Sequence, residues 1–529
     1  MSVHAPEAPL ENPLFAPPAA PSALRGYVAQ VRATPALIAL TIAGVFLPVL
    51  IVPYAFSDDY SILWMAVSRE PSPQFGKNIF DANAIGGRPL AGLLGDGVFS
   101  AAGAIDNLRF VRLISVLGLV VLALLLHWAL VRSGVKSTIA ALAAVLVCTL
   151  PSAQIYGGWA VLFIAPIAAV LAAIASGLVV TAVDGPREIL VDRLVGAVLF
   201  LFAALLIYQP PAMFFWVFLA IALVGAVTDS RRAWRLVKLH FVVGGLALAL
   251  AYVELKLTVH FMGANTIGAS RGHLNTHVIA RLRWFVHGPL YQSVNLFNLT
   301  PAHWFAIGVS VVAAGGMLLW LIRRAANAVF LVAVGVILVP LTYLPNLVIT
   351  DTWAPFRTQG ALSALLGLYF CLGAIGIWLT LRDVLRDRIS AAALAQTGVV
   401  AVALLGAFVA AGVFFAAKNT TTLIVEPQMT ELRMLRSQIA ALPPGPARVA
   451  FVETNWYGGM TSITGYDEFG FPSTARPWVL EPSLDLILRE EGRLGPVGAR
   501  PVVDAFAPGT TSFPANEPVL DLQGLAQLR

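Results

Sequence analysis

Charge is what this chain has least of. Of its 529 residues, 12% are Asp, Glu, Lys or Arg, against roughly 25% in an ordinary soluble domain. A water-soluble protein of this length cannot cover its surface with so few charges. Cysteine is nearly missing too. Cys148 and Cys371 both fall inside apolar runs, where a lone thiol behaves as a small hydrophobe. A disulfide framework and a CxxC metal motif are thereby excluded. No internal repeat is evident. The opening stretch, residues 1–34, is rich in Pro and Ala without periodic apolar patterning and reads as a disordered cytoplasmic tail.

Apolar length is what the chain has in abundance. Hydrophobic residues make up 58% of it, and the mean hydropathy is +0.81. Runs of about 20 apolar residues recur, each long enough at 1.5 Å per residue to cross a hydrocarbon layer of about 30 Å. The expected fold is an α-helical polytopic membrane protein with about eleven transmembrane helices, near 35–55, 111–131, 137–155, 159–182, 192–208, 211–227, 237–259, 303–322, 327–349, 357–381 and 391–416. This makes a cytosolic or nucleic-acid role improbable despite a net charge of +6 and a pI near 9.4.

The basic residues are better read as topology. Arg132, Lys136, Arg187, Arg193, Arg231, Arg232, Arg235, Lys238, Arg323, Arg324, Arg382, Arg386 and Arg388 fall on alternate short connections, and the intervening short ones carry none. Basic loops stay on the cytoplasmic side. The N-terminus is therefore expected inside, and the region 418–529 outside as a small extracytoplasmic α/β cap. In that tail PQMTELRMLRSQIAAL and PSLDLILREEG read as helices, and ARVAFVET and PVLDLQG as strands. The membrane domain, 35–417, then carries two long outer loops at 56–110 and 260–302. Both contain amphipathic stretches, SILWMAV and HVIARLRWFVHGPLYQSVNLF, expected to lie on the membrane surface.

Polar chemistry gathers at the outer helix ends. Asp58 and Asp59, in Phe56-Ser57-Asp58-Asp59-Tyr60, are costly beside a bilayer unless they face water, a cation or a polar substrate. Capping of the next helix is the plainer alternative. Successive helical residues point about 100° apart, so a single member of the pair is expected to face a reacting group. Farther along the same loop, Gly86-Gly87-Arg88-Pro89-Leu90 combines a tight turn, a fixed planar cation and a helix start.

These two pieces, FSDDYSILW and IGGRPLAGLL, resemble the Gtr-type O-antigen glucosyltransferases and their relatives in the GT-C superfamily of polytopic glycosyltransferases. The resemblance covers the first 100 residues or so and extends to the rest through helix count and large outer loops. It implies an inverting membrane glycosyltransferase. The donor would be a polyprenyl-phosphate sugar, with glucose suggested by the family name alone, and the acceptor a surface glycan or glycolipid. Asp58 or Asp59 would serve as base, and Tyr60 would lie beside the substrate. A divalent cation, Mg or Mn, at the aspartates stays open, and no nucleic acid is involved. The location implied is a bacterial inner membrane.

Further candidates come from the residues themselves. Arg88, Arg357 and Arg281 with Arg283 are cations suited to a phosphate. Arg357 stands where outer connections otherwise avoid basic residues, although an arginine there also reaches headgroups. Arg281 and Arg283 suit headgroup contact as well. Glu254, a charge inside a span, either lines a cavity or makes an interhelical salt bridge. His273, His277 and His287 lack the pattern of a metal site, and His127 and His240 read as packing residues. A flippase for lipid-linked oligosaccharide would place charges at mid-membrane in two related halves, and an O-antigen ligase or polymerase would place its large loop late in the chain.

Overall fold

The computed structural model describes residues 24–72, 75–262, 274–443, 448–454, 468–494, 501–514 and 517–522, with side chains from residue 33 onward. His273, residues 1–23 and the stretch 455–467 lie outside the described residues, while 24–34, expected as part of a disordered tail, belong to the helix Leu24–Val45.

Among the described residues, seven helices are long and apolar enough to cross a membrane: Ile105–Arg132, Ala160–Asp184, Arg187–Ile207, Ser230–Met262, His303–Arg324, Gly360–Leu385 and Ala391–Ala440. An eighth candidate is broken by a 62° bend into Ser137–Val147 and Pro151–Gly158. Three more apolar helices, Ala33–Val45, Gln209–Val224 and Ala328–Leu341, are shorter. All eleven expected helices have a counterpart, but a proline ends or breaks several early. Pro151, Pro210 and Pro345 each stand in the first turn of a new helix, where the missing N–H does no harm. Leu37, Val191, Trp304, Val329 and Val399 point outward from the bundle, as in a multi-pass membrane protein whose solvent is hydrocarbon.

Packing between spans uses small residues. Gly316 and Gly373 meet so closely that a Cβ on either would overlap the other's helix backbone, the close approach that membrane helices achieve with glycine. His240 is an interior packing residue, hydrogen-bonded to Ser176 and to the Leu236 carbonyl.

The boundary expected at residue 417 does not exist as a break. The last span runs on through a π-helical stretch, Thr420–Val425, into Glu426–Ala440. Beyond it lie three parallel strands in the order β2-β1-β3: β1 Arg448–Val452, β2 Val502–Phe506 and β3 Val519–Asp521. Helix Pro477–Glu490 lies between β1 and β2 in the chain, the kind of crossover parallel pairing requires. β2 was not foreseen, because its alternation is weak.

SILWMAV also departs from expectation. Its helix, Asp58–Ser68, is buried from Asp59 to Ala66 and packs beneath Pro477–Glu490, with Ser61 Oγ donating to the Trp478 carbonyl and Trp64 Nε1 to Asp485. The tail covers the face that would otherwise have met headgroups. In the second loop the amphipathic stretch is helical, as Val278–Phe285, Val286–Leu290 and Tyr291–Val294.

Candidate active site

A cavity of about 690 Å³ opens between the first loop and the ends of the spans, within the range of about 300–1,000 Å³ typical of ligand pockets. Its walls use the start of Ala160–Asp184, the last turn of Arg187–Ile207, the C-terminal half of Ser230–Met262 and the stretch 344–358. Arg232 and Arg382 lie at the opposite ends of their helices from the cavity. Most of the wall is apolar, and the charged residues on it are Asp58, Arg88, Asp351 and Arg357.

The two aspartates separate. Asp58 lines the cavity and accepts a 3.2 Å hydrogen bond from Trp478 Nε1. Asp59 points the other way and is fully buried, accepting from the backbone N–H groups of Phe56, Ala160 and Val161 at 3.0, 3.4 and 2.8 Å. Ala160 opens the 3-10 turn that starts a span, so Asp59 caps two helix beginnings at once. Burial pushes its carboxyl up to about 7, against the opposing pull of Arg112 and the three N–H donors. Ser57, between cavity and cap, has a φ of 48°, a costly conformation for a residue with a Cβ. Its N–H is held at 2.7 Å by Ser473 Oγ of the tail.

The Gly-Gly-Arg-Pro segment makes the expected turn. Gly87 has a φ of +71°, and its carbonyl accepts from Gln209 Nε2 at 2.7 Å. Pro89 begins the helix Pro89–Ala102 with Arg88 just before it. Arg88 stands over the Tyr208 ring, 5.5 Å from its centroid.

Arg357 is the most firmly built of the cations. Its guanidinium lies 4.7 Å from the Trp159 ring and 4.3 Å from that of Trp353. Nη1 meets Glu468 Oε1 at 3.1 Å. Glu468 is fully buried and also accepts from the backbone N–H groups of Phe356 and Arg357, at 2.6 and 2.9 Å. Tyr156 and Ser152, on the short helix after the bend, donate to the Arg357 and Phe356 carbonyls.

The remaining expected substrate contacts lie elsewhere. Tyr60 is fully buried in the core under the tail, its hydroxyl unpartnered among the described residues. Arg281 is buried over Trp284 and donates to the carbonyls of Leu347, Asn346 and Asp351, where it braces one cavity wall without lining it. It does not reach outward to headgroups. Glu254 accepts from Thr258 on its own helix, while its neighbours Tyr252 and Leu255 line the cavity. Among the described residues it makes no interhelical salt bridge, and it is not on the wall. Among the described residues no three His, Cys, Asp or Glu side chains gather as a metal-holding cluster.

Three residues that hold the site together escaped the sequence. Glu468 and Trp478 come from the tail, with nothing local to mark them. Arg112 is a lone charge in an apolar run and could have been flagged on that ground. Fully buried, it donates to the carbonyls of Val49 and Tyr54 at 2.9 and 3.0 Å and lies 3.8 Å from the Tyr54 ring, closing the end of the Leu47–Ile51 helix beneath the aspartates.

No family model matches the chain, and no curated protein does. Among solved structures it is similar to the oligosaccharyltransferase AglB of Archaeoglobus fulgidus in complex with an inhibitory peptide and a dolichol-phosphate, at 11% identity and a TM-score of 0.44, over 84% of this chain and 64% of that one. An oligosaccharyltransferase from the same organism in complex with Zn and sulfate scores likewise, at 12% identity and a TM-score of 0.44, over 84% of this chain and 62% of that one. The chain thus spans less than two thirds of the length of these proteins, and a likeness so distant decides nothing about chemistry.

Proposed function

We propose that this chain is a membrane glycosyltransferase that moves a sugar from a polyprenyl-phosphate donor to a surface glycan or glycolipid on the extracytoplasmic face. The observation that carries the reading is the meeting of Asp58 with two arginines, Arg88 and Arg357, in one largely apolar cavity whose other charged wall residue is Asp351. A carboxylate that shares a cavity with two cations suits attack on a carbon whose leaving group is a phosphate. The apolar wall suits a donor with a lipid tail.

The step is a single displacement with inversion. Asp58 takes the proton of the acceptor hydroxyl, whose oxygen bonds to the anomeric carbon as the bond from that carbon to the phosphate oxygen breaks. The polyprenyl phosphate leaves with the electron pair. A phosphate is a good leaving group and needs charge stabilisation more than protonation, which Arg88 and Arg357 supply. A base so placed contributes typically about 10²–10⁴-fold. Asp59 serves as a structural cap.

The test is mass analysis of surface glycans in a deletion strain complemented with wild type, Asp58→Asn or Asp59→Asn, with membrane levels of each protein measured. The reading expects one sugar mass to vanish on deletion and to return with wild type but not with Asp58→Asn. Full restoration by Asp58→Asn removes the proposed base. Accumulation of intact lipid-linked oligosaccharide on the cytoplasmic side means a flippase instead, and on the outer side a ligase or polymerase.

A further inference from the structure

The two groups assigned to opposite ends of the reaction are both held from the tail. Trp478 Nε1 donates to Asp58, and Glu468 binds Arg357. Glu468 holds this arginine in an unusual way, because its two oxygens take the backbone N–H of Phe356, the backbone N–H of Arg357 and the Arg357 guanidinium together. Main chain and side-chain tip of one residue are thus fixed in one frame. Trp159 and Trp353 confine the guanidinium at its faces. An arginine on a flexible stem loses orientation when such supports go, and bidentate recognition of an anion depends on that orientation.

We infer that Glu468 is a positioning residue, through which the tail aims Arg357 at the departing phosphate while Trp478 orients Asp58 from the same segment. This rests on the transfer reading above. Glu468 is not on the cavity wall, so its effect passes through Arg357. Its negative charge also offsets that of Arg357 in the resting site. Losing the carboxylate therefore costs turnover without weakening donor binding, since the pull of the arginine on a phosphate becomes stronger as its aim becomes worse.

The experiment compares full-length wild type, Glu468→Gln, Arg357→Gln and the double variant in lipid nanodiscs, reading sugar transfer, binding of a polyprenyl phosphate and backbone hydrogen exchange at 356–357. Expected for Glu468→Gln is a kcat lower by about tenfold or more with donor KM within about threefold, together with faster exchange at Phe356 and Arg357. In the Arg357→Gln background the same change should cost almost nothing further, as for two residues acting as one unit. Equal cost in both backgrounds, or unchanged kcat, overturns the assignment. If Glu468→Gln fails to fold, Trp478→Phe supplies the second arm: its loss of kcat must disappear in the Asp58→Asn background, and a loss that persists there overturns the shared role of the segment. If wild type transfers no sugar, the transfer reading falls, and hydrogen exchange still reports separately whether Glu468 fixes Arg357.

Discussion

Asp59 Oδ1 accepts a 2.8 Å hydrogen bond from the backbone N–H of Val161, a residue 102 positions away, while the adjacent Asp58 lines the cavity. Two neighbouring carboxylates thus have separate surroundings. Replacement by Asn should separate them: Asp58→Asn should lower turnover about 10²–10⁴-fold with an unchanged melting temperature in detergent. Asp59→Asn should lower the yield of folded protein, because its amide group cannot accept from all three N–H donors.

Asp59 also predicts a pH dependence of stability. Burial holds its carboxyl near 7, against an ordinary 3.8. Between those values the unfolded chain has released the proton and the folded chain keeps it, so the contribution of Asp59 to stability declines as pH rises from about 4 to about 7 and then levels off. The expected slope is about 1.4 kcal/mol per pH unit. Chemical denaturation of wild type and Asp59→Asn across this window checks it, the variant showing the shallower dependence.

Arg357→Lys keeps the charge and loses the planar fork between Trp159 and Trp353. A fall of about tenfold or more in kcat/KM for the donor is expected, with little change in melting temperature. Steady-state kinetics on purified protein decide this, and parity with wild type would show that charge alone suffices.

Gly87→Ala places a Cβ at a φ of +71° and 3.3 Å from Gln209 Nε2. The backbone conformation alone costs roughly 1–2 kcal/mol, and relief of the strain would move Arg88. Reduced donor binding together with a lower melting temperature is expected, whereas Gly97→Ala, which meets nothing within 4 Å, should leave both unchanged.

Arg112→Met removes the donors that close the helix end at Val49 and Tyr54. Each buried carbonyl left without a partner costs about 1–3 kcal/mol, so the variant should extract from membranes largely aggregated, as size-exclusion profiles would show.

The helices were readable because their signal is local: about 20 apolar residues in a row suffice, whatever they pack against. That Asp58 and Arg88 face a cavity was readable for a related reason, since charge or a glycine pair at the end of an apolar run has few uses. Asp59 and Tyr60 could not be sorted from Asp58 in the same way. Which side of a short helix faces the cavity is decided by Pro477–Glu490 and by the backbone at Ala160, both remote in sequence. Arg281 misled for the same cause, as the carbonyls that consume its guanidinium belong to the stretch 346–351. Glu468 gave no signal at all, because a carboxylate in a polar tail is ordinary until its partner 111 positions earlier is known.

The bond between Ser57 N–H and Ser473 Oγ joins residues 416 positions apart, and it sets an order in time. At a synthesis rate of about 5–20 residues per second, the Asp58–Ser68 helix is made about 20–80 s before the tail that covers it. For that interval the face of this helix that Pro477–Glu490 comes to cover, with Ser61 and Trp64 on it, stands open. The cell must shelter this stretch at the lipid surface or with a holding factor, and conditions that slow elongation late in the message lengthen its exposure.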